Sequence, residues 1–316
     1  MNRYKDTIIA AAMVSAMLMM PVPQHADPGN PARKTVVAGS INRSYLVYRP
    51  AGIPAGGKPL PLVIVLHGAN ASGTVMSDYS GFNELAEKNN FMVLYPDSLG
   101  LLWNDGRVDM DSVSFRSGVD DVQFIFQVVD AMVADSQVDP ARVYVAGFSN
   151  GGMMALRIGI AVPEKVAAVA CISGLLPKHL SLVRPGKEVP LLMMHGTEDR
   201  IVPWSGGILM NGNRKHGEVL SVLDTLSFWA RKNGCSAQVS VKILPDRDTR
   251  DGTVGFLINY ACAGQGNEVS LISIQGGGHT WPGVVKSSPD SIDGKTSNDF
   301  SATKYIWDFF SRHQRH

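Results

Sequence analysis

The sequence has no excess of charge of either sign and few cysteines, and each shortage excludes a class of protein. Lys and Arg total 29 against 28 Asp and Glu, with no block of one sign. This balance argues against a nucleic-acid partner and against an acidic solvating tail. The 8 histidines form no His-x-x-x-His pair and the 3 cysteines lack ligand spacing, so no metal site is predicted. No Gly-x-Gly-x-x-Gly follows a strand-like run, and Pro59 stands where a phosphate-binding loop needs Ser or Thr. No cofactor is therefore expected.

The chain also lacks an apolar run long enough for a comfortable membrane span. The run at Thr7–Met20 has 14 residues, whereas a transmembrane helix needs about 20. A short basic segment precedes this run and two prolines follow it, which is typical of a secretory signal peptide. We predict a signal peptide at 1–26 with cleavage near Ala26, and a folded domain at 27–316. The mature protein is then secreted or periplasmic, without stable membrane insertion. An uncleaved anchor is the alternative, because Gln24 stands where a small residue is usual.

Strand-like apolar runs alternate with helical patterns along the rest of the chain. The runs are continuously apolar, which indicates burial on both faces and hence a mostly parallel sheet flanked by helices. The alternation predicts a single α/β domain with right-handed crossovers. Predicted strands lie at 34–48 (a hairpin broken at 39–42), 62–66, 91–95, 142–146, 166–172, 191–194 and 269–274. Predicted helices lie at 81–88, 120–133, 150–160, 218–233 and 302–312, and the polar stretch 245–255 is interpreted as an excursion.

The most informative motif is Gly147-Phe148-Ser149-Asn150-Gly151. A Gly-x-Ser-x-Gly arises by chance in a chain of this composition with a probability of roughly one in four, so the context must carry the argument. An apolar strand precedes the motif and a helical stretch follows it, which is the layout of a nucleophile elbow. The two flanking glycines are expected because a Cβ there would strike the neighbouring element. Ser149, in a strained backbone conformation, is therefore predicted to be the nucleophile of a serine hydrolase.

A serine hydroxyl needs a neighbouring base, and His279 is the best candidate. It lies in a Gly-rich loop after the last strand-like run, and such a loop can carry a side chain across several strand ends. The acid that orients the base is predicted to be Asp199, with Glu198 as its neighbouring rival. The chain order Ser149, Asp199, His279 is that of an α/β-hydrolase triad.

A carbonyl oxygen that gains negative charge needs preset N–H donors. One predicted donor is the backbone N–H of Asn150, directly after the nucleophile. The second is the N–H of Ala69, in the loop that follows an early strand. His67 and His195 each follow an apolar run, and we interpret both as supports of loop backbone rather than as catalytic groups.

Several short motifs occur in a fixed order along the chain, and together they resemble one esterase family. They are Leu66-His67-Gly68, Val119-Asp120-Asp121-Val122, Asp139-Pro140, Gly147-x-Ser149-Asn150-Gly151-Gly152-Met153, His195-Gly196-Thr197-x-Asp199 and Gly278-His279-x-Trp281-Pro282-Gly283. The family is that of the secreted poly(3-hydroxybutyrate) depolymerases and the feruloyl or acetylxylan esterases, which are α/β-hydrolases. The resemblance covers residues 36–310. It implies the α/β-hydrolase fold, with Ser149 as nucleophile, Asp199 as acid and His279 as base.

The resemblance also implies an exported carboxylic-ester hydrolase that acts on a small or oligomeric ester. A linker and a separate polymer-adsorbing domain are absent from the sequence, so short-chain hydroxyalkanoate oligomers or small esters are favoured over crystalline polyester. Feruloyl or acetylxylan esters are the alternative substrates. A serine peptidase of the same fold and a non-catalytic binding protein on a hydrolase scaffold are the rival functions. The sequence makes no prediction of oligomeric state.

The sequence context of the three cysteines and of two tryptophans indicates their structural states. Cys171 lies in an apolar run and is expected to be a buried thiol. Cys235 and Cys262 flank a polar, irregular region and form either a disulfide or two free thiols; the resemblance favours the disulfide. Trp103 and Trp281 form either an aromatic wall for the substrate or part of the packing, with equal weight.

Two groups of acidic residues are interpreted as structural. Asp120 and Asp121 are expected to start a helix, where backbone N–H groups stabilise a carboxylate without any catalytic role. Asp246, Asp248 and Asp251 fall in the polar excursion and are expected to be solvated.

Overall fold

A computed structural model describes residues 29–53, 56–108, 117–184, 186–211, 213–264, 267–284 and 292–315. The predicted signal peptide at 1–26 lies outside the described residues. Within these ranges, none of the helices combines the length and the apolar character needed to cross a membrane.

In the part of the chain that the structure describes, ten strands form one sheet, and two further strands form a separate hairpin. The sheet strands are β1 Ala32–Ala38, β2 Ile41–Tyr48, β3 Leu60–Leu66, β4 Met92–Pro96, β5 Val138–Phe148, β6 Ala168–Ile172, β7 Leu191–Gly196, β10 Cys235–Ile243, β11 Val254–Cys262 and β12 Val269–Gln275; the hairpin is β8 Gly207–Asn211 and β9 Arg214–Val219. The order across the sheet is β1-β2-β4-β3-β5-β6-β7-β12-β11-β10. The inner strands from β4 to β12 are parallel, and the outer pairs on each side are antiparallel. The prediction of a mostly parallel sheet is confirmed.

Helices cover both faces of this sheet. They are α1 Gly73–Tyr79, α2 Phe82–Asn89, α3 Asp121–Ala134, α4 Asn150–Ala161, α5 Val222–Lys232 and α6 Ala302–Phe310, with 3₁₀ turns at Pro163–Lys165 and Lys178–Leu182. Side chains cap several N-termini: Asp120 accepts the Gln123 N–H at 3.0 Å at the start of α3. This contact confirms the interpretation of Asp120 as a helix-starting residue.

The core lies in two layers because alternate residues of a strand point to opposite faces. Leu62, Ile64 and Leu66 of β3 pack on the side of α3, α4 and α5, whereas Val63 and Val65 pack on the side of α1, α2 and α6. All five side chains are fully buried. Burial on both faces explains why the inner strands are continuously apolar. The covered faces leave the strand ends open, so the loops after β3, β5, β7 and β12 meet at one edge.

Two regions differ from the sequence-based predictions. The region between Cys235 and Cys262 is not irregular: it contains β10 and β11, joined by the polar stretch. β10 is an edge strand with mostly exposed side chains, so its sequence carries no continuous apolar run. The helix predicted at 218–233 begins later, at Val222, because Arg214–Val219 is strand β9.

The described structure contains a disulfide between Cys235 and Cys262, which face each other in the β10–β11 register. The bond therefore closes the end of the antiparallel hairpin at the edge of the sheet. Cys171 is a buried free thiol on β6, as expected.

Candidate active site

Ser149 lies in the tight turn between β5 and α4. Its backbone has φ 56° and ψ −121°, a conformation that is strained for a residue with a Cβ. A Cβ on Gly147 would overlap the carbonyl of Gly151, in the first turn of α4. A Cβ on Gly151 would collide with backbone at the end of β3, where it would lie 2.5 Å from the His67 carbonyl oxygen; the nearest obstruction is therefore β3 and not β5. Both glycines are thus required by the close approach of backbone, and the turn presents Ser149 at the edge of the sheet.

The structure joins Ser149, His279 and Asp199 in one series of hydrogen bonds. Ser149 Oγ lies 2.9 Å from His279 Nε2, and His279 Nδ1 lies 2.8 Å from Asp199 Oδ2. The three residues are 8%, 5% and 4% exposed. They come from the loops after β5, β12 and β7. His279 is 130 positions from Ser149 and 80 positions from Asp199 along the chain. The series is shielded from bulk water, which strengthens its electrostatic contacts.

The carboxylate of Asp199 is fixed by backbone donors. Its Oδ1 accepts the N–H groups of Ile201 and Val202 at 2.9 and 2.8 Å, which leaves Oδ2 aimed at His279. Glu198, the neighbouring rival, is exposed and does not take this position. Because Asp199 can only accept, His279 must carry its hydrogen on Nδ1 and present the lone pair of Nε2 to the Ser149 hydroxyl.

His195 supports the Asp199 loop. Its Nε2 donates to the Val202 carbonyl at 2.9 Å and lies 3.6 Å from Asp199 Oδ2. Complete burial lowers the pKa of His195. The interpretation of this histidine as a support of loop backbone is confirmed.

The loop after β3 passes beside Ser149. A Cβ on Gly68 would lie 3.4 Å from the Ser149 Cβ. The backbone N–H groups of Ala69 and Asn150, predicted to bind an oxyanion, have no hydrogen-bond partner among the described residues. Two unpaired N–H groups near a serine hydroxyl are the arrangement that an oxyanion requires.

His67 supports this loop through two hydrogen bonds of its ring. Ser98 N–H donates to its Nε2 at 3.0 Å, so Nδ1 carries the hydrogen and donates to the Gly68 carbonyl at 2.7 Å. Burial lowers the pKa of His67, in keeping with a neutral ring. The interpretation of His67 as a backbone support is confirmed.

Trp103 and Trp281 do not form an aromatic wall, because neither has exposed surface. Trp103 Nε1 donates to the His67 carbonyl at 2.9 Å, and Trp281 Nε1 donates to Thr303 Oγ1 at 3.0 Å. Each indole is the partner of a buried acceptor, which is the usual state of a buried tryptophan. The packing alternative is therefore correct for both residues.

The segment 292–299 supports the His279 loop. His279 N–H donates to the Asp293 carbonyl at 2.5 Å, and the N–H of Gly278 donates to the Lys295 carbonyl at 2.9 Å. The prediction that the polar excursion is solvated is wrong for Asp251, which accepts the Asn298 N–H at 2.7 Å. The carboxylate binds backbone, as short acidic side chains do in turns.

The other two acidic residues of the excursion behave differently from each other. Asp246 is exposed, as expected. Asp248 is half-buried and accepts from Asn298 Nδ2 at 3.3 Å, so its side chain is only partly in solvent. The contacts of Asp248 and Asp251 with Asn298 arise because the polar stretch folds back onto the support of the His279 loop.

Sequence reasoning missed two buried ion pairs that contact the loop 103–107. Arg43 Nη2 lies 2.7 Å from Asp121 Oδ1, and Arg107 Nη2 lies 2.8 Å from Asp105 Oδ2. Asp121 is thus a buried ion-pair partner as well as a first-turn residue of α3. Burial raises the pKa of Asp121, and the charge of Arg43 opposes that rise. Arg43 and Asp121 are 78 positions apart, so no local pattern could have paired them.

Metal ligation has no support in the described ranges, where no group of three or more His, Cys, Asp or Glu side chains is placed to hold an ion.

The mostly parallel sheet flanked by helices is the fold of an α/β-hydrolase. A solved structure of an acetyl xylan esterase from Aspergillus awamori superimposes with a TM-score of 0.57 at 16% identity, covering 89% of this chain and 99% of that one. The family model for phospholipases and carboxylesterases matches residues 53–215. This chain therefore belongs to the phospholipase/carboxylesterase family, whose members are carboxylic-ester hydrolases.

Named relatives agree with the resemblance inferred from the motifs. A protein of Nocardia uniformis subsp. tsuyamanensis that carries the name esterase NocK is 31% identical over 90% of this chain and 83% of its own. Feruloyl esterase B of Piromyces equi is 29% identical over 75% of this chain. A poly(3-hydroxybutyrate) depolymerase of Ralstonia pickettii is 32% identical over 52% of this chain. The matches span 42% and 36% of the last two relatives.

Proposed function

We propose that this protein is an exported serine esterase in which Ser149 is the nucleophile, His279 the general base and Asp199 the acid that orients it. The observation that carries the proposal is the continuous hydrogen-bond series from Ser149 Oγ through His279 to Asp199 Oδ2. A serine hydroxyl is a weak nucleophile, and such a series is what activates it.

The reaction follows from the positions of the proton donors and acceptors. Ser149 Oγ attacks the ester carbonyl while His279 Nε2 takes the hydroxyl proton. Asp199 stabilises the resulting imidazolium, and the carbonyl oxygen gains a negative charge. The N–H groups of Ala69 and Asn150 bind that oxyanion. His279 then protonates the leaving alcohol, and a water molecule, deprotonated by the same ring, releases the acid from the acyl-enzyme.

We favour short-chain hydroxyalkanoate oligomers or small esters as substrates. Feruloyl and acetylxylan esters are the second candidate, supported by the names of the Piromyces relative and of the Aspergillus structure. A panel of hydroxybutyrate oligomers, methyl ferulate, acetylated xylan and p-nitrophenyl esters of increasing chain length separates them by kcat/KM. Highest kcat/KM on methyl ferulate or acetylated xylan would reject the favoured substrate class.

The nucleophile is tested with a fluorophosphonate probe, which should label the wild type and not Ser149→Ala. Persistent labelling of the variant would refute the assignment. Parallel assays with p-nitrophenyl acetate and aminoacyl p-nitroanilides distinguish an esterase from a peptidase of the same fold. Absence of turnover on every ester would favour a non-catalytic binding protein.

Export is proposed from the predicted signal peptide at 1–26 and agrees with a disulfide, which persists in oxidising compartments. N-terminal sequencing of the protein recovered from periplasm and medium tests it. A start near residue 27 is expected, whereas recovery of the intact N-terminus would reject cleavage near Ala26.

A further inference from the structure

The side chain of Asn150 is held at both ends by the loop 103–107. Its Oδ1 accepts the Trp103 N–H at 2.8 Å, and its Nδ2 donates to Asp105 Oδ2 at 2.5 Å. Asn150 is 2% exposed and Asp105 is fully buried. The side chain that makes these contacts belongs to the residue whose backbone N–H is a proposed oxyanion donor. The loop therefore determines where that residue sits.

The same loop also holds the other side of the proposed oxyanion hole. Trp103 Nε1 donates to the His67 carbonyl, and the two rings lie 4.9 Å apart. His67 in turn donates to the Gly68 carbonyl, which forms the peptide that carries the Ala69 N–H. One short loop is thus connected to the residues that carry both N–H donors.

Asp105 is itself held rigidly. Arg107 contacts it through Nε at 2.9 Å and Nη2 at 2.8 Å, and the Arg107 backbone N–H donates to Asp105 Oδ1 at 3.0 Å. Arg107 Nη1 donates to the His216 carbonyl on β9 at 2.8 Å. A buried carboxylate with a forked partner has one defined position, so its hydrogen bond to Asn150 has one defined direction.

We propose that Asp105 and Trp103 are positioning residues that set the spacing of the two oxyanion donors, Asp105 through Asn150 and Trp103 through His67. The inference rests on the function proposed above. Donors to a developing oxyanion act because they are placed in advance, and displacing them weakens the transition state more than the bound substrate. Neither residue contacts the reacting atoms.

The primary test compares Asp105→Asn with Asp121→Asn. Asp121 is the matched control because it is equally buried, has its own arginine partner and accepts the Asn104 N–H of the same loop at 2.8 Å. Asp105→Asn should lower kcat for p-nitrophenyl acetate by about 10- to 100-fold while KM changes by less than about threefold. A trifluoromethyl ketone, which mimics the tetrahedral intermediate, should lose affinity by a similar factor.

Asp121→Asn should lower thermal stability comparably but lower kcat much less than Asp105→Asn does, because Asp121 binds the loop through the Asn104 N–H rather than through Asn150. Equal decreases of kcat in the two variants would overturn the positioning role. In that case an active wild type still supports the serine esterase, whereas an inactive wild type would overturn both proposals.

A double-mutant cycle tests the route of the effect. If Asp105 acts through Asn150, Asp105→Asn should lower kcat much less in an Asn150→Ala background than in the wild type. The same factor in both backgrounds would refute that route. If Asp105→Asn fails to fold, Asn150→Ala alone suffices, because it leaves the Asp105–Arg107 pair intact; an unchanged kcat would refute the proposal. Trp103→Phe should likewise lower kcat at nearly constant KM, and normal kcat would remove Trp103 from it.

Discussion

Replacing Asp199 with asparagine tests how the acid sets the tautomer of His279. Asp199 Oδ1 accepts the Ile201 and Val202 N–H groups at 2.9 and 2.8 Å, and Oδ2 faces His279 Nδ1 at 2.8 Å. An asparagine must keep its oxygen toward these two donors, so its NH2 group faces Nδ1. Nδ1 then becomes the acceptor, the ring hydrogen moves to Nε2, and Nε2 cannot take the proton of Ser149.

The size of the effect depends on how strongly the amide is held. Reversing the amide would restore the productive tautomer. It would also leave the buried Val202 N–H and the partly buried Ile201 N–H facing an NH2 group, at a cost of about 1–3 kcal/mol for each buried donor and less for a partly exposed one. The reversed form is therefore disfavoured by about 2 kcal/mol, which is roughly 30-fold. The corresponding change in serine proteases with the same three roles lowers kcat about 10⁴-fold. We expect Asp199→Asn to lower kcat by a factor between these limits.

The assay is initial-rate hydrolysis of p-nitrophenyl acetate, with thermal unfolding measured in parallel to verify the fold. Glu198→Gln is the matched control because it removes the adjacent, exposed carboxylate, and it should keep kcat within about twofold. A folded Asp199→Asn variant with more than a tenth of the wild-type kcat would refute the tautomer argument. An equal loss in Glu198→Gln would remove the evidence that Asp199, and not its neighbour, is the acid.

Three further predictions concern stability. Ser149→Gly should be more stable than Ser149→Ala by about 0.5–2 kcal/mol in urea unfolding, because relief of about 1–3 kcal/mol of strain exceeds the added chain entropy; a less stable glycine variant would contradict the strain. Burial opposes ionisation of Glu268, but the hydrogen bonds and charge of Arg312, together with His313 Nε2 at 3.3 Å from Oε2, lower its pKa to about 2. Because this pKa lies below that of the unfolded chain, the ionised carboxylate stabilises the fold above pH about 5, and this stabilisation is lost as the pH falls toward 2. Glu268→Gln should therefore lower the free energy of unfolding by about 1–2 kcal/mol near pH 7, a figure reduced for the 31% exposed side chain, and by little near pH 2. A difference in unfolding free energy that does not change with pH would refute this prediction. Removing the disulfide by replacing both cysteines with serine should lower the unfolding free energy by about 3–4 kcal/mol, given its separation of 27 residues; an unchanged value would contradict the loop-closure argument.

Local sequence patterns were sufficient to predict the inner strands and the turn at Ser149. β3 and β6 are continuously apolar because both faces are covered, and this leaves a direct signal in sequence. β10 leaves no such signal, because an edge strand exposes most of its side chains. Asp248 and Asp251 look like solvated turn residues in sequence, yet they bind the support of the His279 loop, a contact made between distant segments.

The sequence by itself determined the fold class and the identity of the three residues in the hydrogen-bond series, because glycine spacing, apolar runs and chain order are local properties. Tertiary structure alone decided the roles of Trp103 and Asp105. Whether an indole faces the substrate or a buried carbonyl depends on which loops meet at the sheet edge. The pairing of Asp105 with Asn150 joins residues 45 positions apart, and only the packed sheet brings such residues within hydrogen-bond distance.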